Sequence, residues 1–199
     1  MLADATVTCW GNDERGQIAD GMLLPSGKLN VVPTIAGASR VRGGNDFTCA
    51  IDAAGLWCWG DNLDGELTGA VAADMTFTPA MLDVPGATEI ATGADGDLDP
   101  NDPRGGHACA IVAQGKVLCW GNNRSGQLGD GSVEPRTGPT VVAGLTDITR
   151  LAAGTHHTCA LRRDRSVACW GSTDMLAARK QRFEPADVAL RPVADLRSE

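Results

Sequence analysis

Three kinds of side chain in this sequence are spaced so that they could do chemistry. Cys49 with Cys58, Cys109 with Cys119, and Cys159 with Cys169 lie nine or ten positions apart, and Cys9 has no such companion. Cysteines facing each other on adjacent antiparallel strands, with Cα atoms about 5 Å apart, are within reach of a disulfide. Reduced, packed cysteines are the alternative reading, because free Cys is among the most buried residue types. Zinc is the weaker one, since no Cys-x-x-Cys or Cys-x-x-His spacing occurs. The second kind is a run of aspartates, Asp95, Asp97, Asp99 and Asp102, set in a Gly/Pro-rich stretch. Alternating carboxylates of this sort supply the hard oxygen ligands of calcium sites, so calcium is the one cofactor the sequence suggests. The stretch is not an EF-hand: Pro100 replaces the turn glycine, and Gly106 stands where the bidentate Glu belongs. A solvated acidic loop, or an acid–base pair of carboxylates, are the other readings. The third kind is histidine. His107 and His157 each precede a first cysteine by two positions, where another copy has Phe47. A position that accepts His or Phe fills space. No Ser, Cys or acid recurs beside these histidines in a triad-like arrangement, so no catalytic residue is assigned.

The elements that must hold these residues repeat. Cys-Trp-Gly occurs at Cys9–Gly11, Cys58–Gly60, Cys119–Gly121 and Cys169–Gly171, with the tryptophans 49, 61 and 50 residues apart. A period near 50 in strand-like sequence marks a propeller or solenoid. Each cysteine pair spans a predicted hairpin. The second arm ends in Cys-Trp-Gly, and a glycine-spaced loop follows, fullest at Asn122 to Gly131. A proline-bearing strand and the Ile148–Gly154 type of strand complete four short strands per unit, the count of one propeller blade. The glycine loop is not a phosphate cradle: Gly126-Gln127-Leu128-Gly129 lacks the Lys-Ser/Thr ending. The expectation is therefore an all-β propeller domain over 1–199, with units at approximately 1–43, 44–93, 104–153 and 154–199 and an acidic insertion at 94–103. The first unit starts at its second arm. The last departs from the pattern after Gly171, although Pro185–Leu190 and Val193–Leu196 look like a proline strand and the strand before a new hairpin. Both terminal units are thus incomplete, and an open arc with exposed strand edges is expected, which invites self-association or pairing with another propeller segment. A closed four-bladed ring, with Val7–Trp10 paired to Val193–Leu196, is the alternative.

Several spaced elements recur together in order, in Pro139–Leu145, Ile148–Leu161 and Val117–Gly131. On these residues the chain resembles the regulator-of-chromosome-condensation repeat family, over residues 7 to about 171 and more weakly beyond. The cysteine-bearing version resembles repeats of secreted or surface proteins of bacteria. The resemblance implies a β-propeller, usually of seven blades, on which unrelated activities are built, so function does not transfer with the fold.

Composition narrows the function. A net charge of −8 excludes a phosphate-backbone partner, since nucleic-acid binders gather Lys and Arg on one face. No stretch reaches the roughly 18 apolar residues of a membrane span. The start, Met1 to Ala5, lacks the basic and apolar regions of a signal peptide. Disulfides, by contrast, belong to an oxidising compartment and point to an extracellular or cell-surface setting. The reading is a non-catalytic propeller that binds a protein or surface polymer outside the cytoplasm. The rivals are a propeller-based hydrolase or lyase, which would need the Asp95–Asp102 stretch, and a cytoplasmic scaffold or exchange-factor-like regulator with reduced cysteines.

Overall fold

Alternating apolar residues and short polar turns produce a chain of hairpins, and the hairpins stack. A computed structural model describes residues 5–44, 46–67, 73–93 and 106–172, together with the backbone of 191–192. Strands β1 (Val7–Gly11) and β2 (Ser26–Val32) form a two-stranded sheet. Three four-stranded antiparallel sheets follow. The first holds β3 (Arg40–Gly43), β4 (Phe47–Ile51), β5 (Leu56–Asp61) and β6 (Met75–Leu82). The second holds β7 (Glu89–Gly93), β8 (His107–Val112), β9 (Lys116–Gly121) and β10 (Arg136–Val141), and the third β11 (Ile148–Ala153), β12 (His157–Arg162), β13 (Val167–Gly171) and β14 (Arg191–Pro192). Prolines 79, 139 and 192 all fall on the outermost strand of their sheet, the one position where a missing N–H breaks no interior ladder.

The sheets are offset by one strand from the units drawn on the sequence. Glu89–Gly93, placed in unit 44–93, pairs with β8 of the following sheet, and Ile148–Ala153, placed in unit 104–153, pairs with β12. The reason is the connections. Only Gly154 to His156 separate β11 from β12, which forces an antiparallel neighbour, whereas Val142 to Asp147 carry the chain across to a new sheet. A repeat shows its period in sequence but not where hydrogen bonding divides it.

The core lies between sheets. One cluster joins Val7, Val32 and Ile35 to Ala50 and Trp59 of the next sheet. A second joins Phe47, Leu56, Leu67 and Leu82 to Ile90, Ala108 and Trp120. A third joins Ile111, Val117, Leu128 and Val142 to Ile148, Ala160 and Trp170. Each of the later tryptophans is thus buried against the sheet before its own, which is nearest-neighbour stacking. Trp10 is 62% exposed, against 0% for Trp59 and Trp120 and 3% for Trp170.

Candidate interaction surface and the seams beneath it

The Cys-Trp-Gly phrase has a separate task for each residue. The register sets Cys49 opposite Cys58, Cys109 opposite Cys119 and Cys159 opposite Cys169, and all three pairs are joined as disulfides with Cα atoms 4.1 Å apart. Loops of this size stabilise by about 2–3 kcal/mol through the unfolded chain. Cys9 is the only free cysteine, and burial, followed by the Asp13 charge, pushes its thiol up to about 11, which makes it a poor nucleophile. The glycine that ends the phrase takes a left-handed conformation, with φ of +107° at Gly60, +95° at Gly121 and +96° at Gly171. A Cβ there would strike the backbone of Asp46, Gly106 or His156 in the neighbouring arm, so only glycine fits.

The tryptophan reaches backwards. Trp59 Nε1 donates to the Gln17 carbonyl at 2.9 Å, Trp120 Nε1 to the Glu66 carbonyl at 2.7 Å, and Trp170 Nε1 to the Gln127 carbonyl at 2.8 Å. Thr48 and Thr158 hydroxyls donate to the same Gln17 and Gln127 carbonyls. The glycine-spaced loop is built to present that oxygen. Asp13, Asn62 and Asn123 each accept, through Oδ1, the N–H five residues ahead, and each carbonyl accepts the N–H of Gly16, Gly65 or Gly126. The side chains of Gln17, Glu66 and Gln127 fold back to accept the N–H two residues behind. Loop and tryptophan therefore form a seam latch between consecutive sheets.

Titratable groups are buried in these seams. Glu66, 1% exposed, stands where the other two loops have glutamine, and its Oε1 accepts the Gly106 N–H at 3.2 Å. Burial raises its pKa to about 8, with the nearby Asp61 and Asp64 charges adding to the effect. Asp61 Oδ1 makes no hydrogen bond, and the Arg15 guanidinium stands 3.8 Å away. Burial outweighs that cation and raises Asp61 to about 6. Asp13 is likewise raised to about 6, first by burial. His107 is fully buried, with Nε2 2.8 Å from Thr158 Oγ1. Because that hydroxyl donates to Gln127, the histidine is the donor, its proton sits on Nε2, and its Nδ1 is left without a partner. Burial, followed by His157 and His156, lowers its pKa to about 3.

The sequence-derived site residues divide accordingly. The six hairpin cysteines are brought together in pairs. His107 and Phe47 both fill the space over a glycine, Gly93 and Gly44, as their interchange implies. Asp95, Asp97, Asp99 and Asp102 lie outside the described residues, as do Pro185–Leu190 and Val193–Leu196. Among the described residues no group of His, Cys, Asp or Glu could hold a metal ion, and no helix is long and apolar enough to cross a membrane.

Sequence reasoning missed a cluster at the meeting of the sheets. Strands β3, β7 and β11 are the first strands of three sheets; the Thr92 hydroxyl donating to the Gly43 carbonyl at 2.8 Å joins β7 to β3, and Arg150 Nη1 4.0 Å from Glu89 Oε2 joins β11 to β7. Val41, Ile90 and Leu151 occupy one register level, opposite Ala50, Ala110 and Ala160, so Arg40, Glu89 and Arg150 occupy the level before it. Glu89 is 5% exposed and receives Arg40 Nε at 3.2 Å and Arg42 Nη2 at 3.0 Å, while Arg150 Nη1 stands 4.0 Å away. Three guanidiniums thus share one carboxylate. This level is the end of the sheets where the hairpin tips lie, since Arg40 faces Ile51, Glu89 faces Ile111 and Ile148 faces Arg162. Lys116, Arg163 and Arg165 belong to the same end. The opposite end carries the glycine loops with Glu14, Asp20, Asp64, Asp74, Asp130 and Glu134. Asp52, Asp147 and Asp164 stand among the cations of the tip end, and Arg15, Arg124 and Arg136 among the acids of the glycine loops, so among the described residues the two faces differ in net sign.

Comparison with known proteins places this arrangement. Residues 114–161 match the model of the Regulator of chromosome condensation (RCC1) repeat. The ultraviolet-B receptor UVR8 of Arabidopsis thaliana is 30% identical over 179 residues, covering 86% of this chain and 38% of the receptor. Protein pim1 of Schizosaccharomyces pombe is 26% identical over 200 residues, covering 87% of this chain and 35% of that protein. Yeast RCC1 (Prp20), solved bound to Kap60, superposes with a TM-score of 0.74 at 15% identity, over 96% of this chain and 45% of that one. Human WBSCR16 superposes with a TM-score of 0.70 at 20% identity, over 92% and 46%. The chain spans 35–46% of the length of these proteins, and its sheets match part of the RCC1 β-propeller.

Proposed function

We propose that this chain of RCC1-type repeats is a non-catalytic interaction module that binds a protein or surface polymer outside the cytoplasm through the loops at the two ends of its sheets. One observation carries the reading. The described carboxyl and imidazole groups with strongly shifted protonation, namely Glu66, Asp61, Asp13 and His107, are buried in seams between sheets, where they serve packing. What remains for solvent is two loop faces of opposite charge, which suits recognition. The structurally similar yeast propeller Prp20 has been solved bound to Kap60 and has binding properties to Gsp1p and histones. The setting outside the cytoplasm, and the likeness to bacterial surface repeats, are supported by three hairpin disulfides.

The test has two parts. Thiols of the natural protein are counted in denaturant without reductant, where a single reactive thiol, Cys9, is the expected result and seven would place the chain in a reducing compartment. Affinity capture by crosslinking from the source organism's surface fraction then identifies the partner. Hydrolysis of a substrate by the purified chain would overturn the non-catalytic reading. Calcium binding by Asp95, Asp97, Asp99 and Asp102 rests on spacing alone. Its test is whether millimolar calcium raises the melting temperature and Asp97→Ala abolishes the rise.

A further inference from the structure

We propose that the meeting point of β3, β7 and β11 at the hairpin-tip end is a docking site for a carboxylate-rich peptide segment of a partner protein, held by Arg40, Arg42 and Arg150. The inference rests on the interaction-module reading and names the partner's chemistry. Glu89 neutralises one of the three cations and leaves two positive charges in a chain whose net charge is −8. The donors are only partly spent. A guanidinium carries five N–H groups. Arg40 uses Nε on Glu89 and Nη1 on the Ser39 carbonyl, Arg42 uses Nη2 on Glu89 and Nη1 on the Val41 carbonyl, and Arg150 uses Nη1 on the Thr149 carbonyl. The side chains are 38%, 45% and 68% exposed above a carboxylate that is only 6% exposed. Carbonyl anchoring at one end of each guanidinium leaves its other N–H groups held in place, the arrangement that receives a carboxylate bidentately.

Charge distribution selects a peptide over a nucleic acid. An extended phosphate backbone needs a stripe of basic residues. Here the cations converge on one point where three strands meet, which matches a short carboxylate-bearing segment and not an extended backbone. The acidic glycine loops lie at the far end of strands five or six residues long, beyond a screening length of about 8 Å at physiological salt, so they do not cancel the local field.

The test is fluorescence anisotropy with a labelled ten-residue peptide of alternating Asp and Glu, its Asn/Gln counterpart, and a single-stranded oligonucleotide of equal charge. The acidic peptide should bind, and affinity should fall with salt. Arg150→Gln removes the most exposed cation, whose nearest approach to Glu89 is 4.0 Å, so the fold should stand and affinity should drop about five- to tenfold. Glu89→Gln frees Arg40 and Arg42 from their internal carboxylate and should tighten binding by a similar factor. A merely structural cluster would not give that opposite pair of shifts. Binding of the Asn/Gln peptide equal to the acidic one, equal or stronger binding of the oligonucleotide, or indifference to both substitutions overturns the proposal. So does an arginine-dependent dimer in sedimentation, which would make a second copy the occupant. Should Arg150→Gln leave capture of the natural partner intact, the docking site is wrong while the interaction-module reading stands.

Discussion

Replacing Glu66 with Gln should stabilise the protein at neutral and alkaline pH and destabilise it slightly in acid, so that the two stability curves cross. Glu66 occupies a position held by Gln17 and Gln127 in the other two loops, and its pKa rises from the usual 4.5 to about 8. The sign follows from proton counting. Between those values the folded state holds a proton that the unfolded state has lost, so stability falls as pH rises through the window and is fully retained below pH 4.5. A shift of about 3.5 units at about 1.4 kcal/mol each amounts to roughly 4–5 kcal/mol by pH 8, an order of magnitude for so buried a group. The substitution removes that cost and the repulsion from Asp61. It also supplies an N–H that can reach Asp61, in the way Gln127 Nε2 donates to Asn122 Oδ1 at 2.9 Å. Against this stands the acceptor of the Gly106 N–H, whose loss costs about 1 kcal/mol. The net is about 3 kcal/mol in favour of the variant at pH 8, or about 6–12 °C for a chain of this size, and about 1 kcal/mol against it at pH 4.5. Urea or thermal unfolding of both proteins from pH 4.5 to 8.5 reads the difference directly, and the curves should cross between about pH 5 and 6. Parallel curves, or a variant less stable than the natural chain at pH 8, would refute the argument.

His107 carries the opposite sign: with its pKa lowered to about 3 against the usual 6.5, stability is lost as pH falls through that window. His107→Phe, which copies Phe47, should flatten the acid limb and gain about 2 kcal/mol at pH 5, measured against the natural chain by urea midpoint. Trp120→Phe removes the donor to the Glu66 carbonyl and should cost about 2–3 kcal/mol, whereas Trp10→Phe, on an exposed indole, should cost under about 0.5 kcal/mol. Gly121→Ala places a Cβ against the Gly106 carbonyl at φ +95° and should cost about 3 kcal/mol or more, read as the loss of a folded fraction in thermal melts.

The hairpins were legible because two arms with cysteines at fixed offsets leave one register, and Cys49–Cys58, Cys109–Cys119 and Cys159–Cys169 fall directly opposite in it. The phase of the sheets was not legible, since a repeat looks the same whichever strand begins it, and Glu89–Gly93 joined the sheet after it. The latch was hidden for another reason. The tryptophans bond to a backbone carbonyl, so the latch bond is the same whether the accepting position is Gln17, Glu66 or Gln127, and side-chain identity gives little warning. A carboxyl standing once among amides was the one available sign that Glu66 is unusual. The arginine cluster draws on strands some fifty residues apart, as the Arg40–Glu89 contact shows, and only the paired register of β3, β7 and β11 brings its members to one level.

The seam latch has a direction. In each pair the loop that offers the carbonyl precedes in the chain the tryptophan that takes it: Gln17 before Trp59, Glu66 before Trp120, Gln127 before Trp170. During synthesis the receiving socket therefore emerges from the ribosome about 42 to 54 residues ahead of its plug. Each new blade meets a finished template, and its hairpin is short enough to close as soon as it appears. Assembly by this rule needs no contact between distant parts of the chain until the array is complete. It also suits an array that gains or loses whole blades by duplication, because all three latches follow one plan.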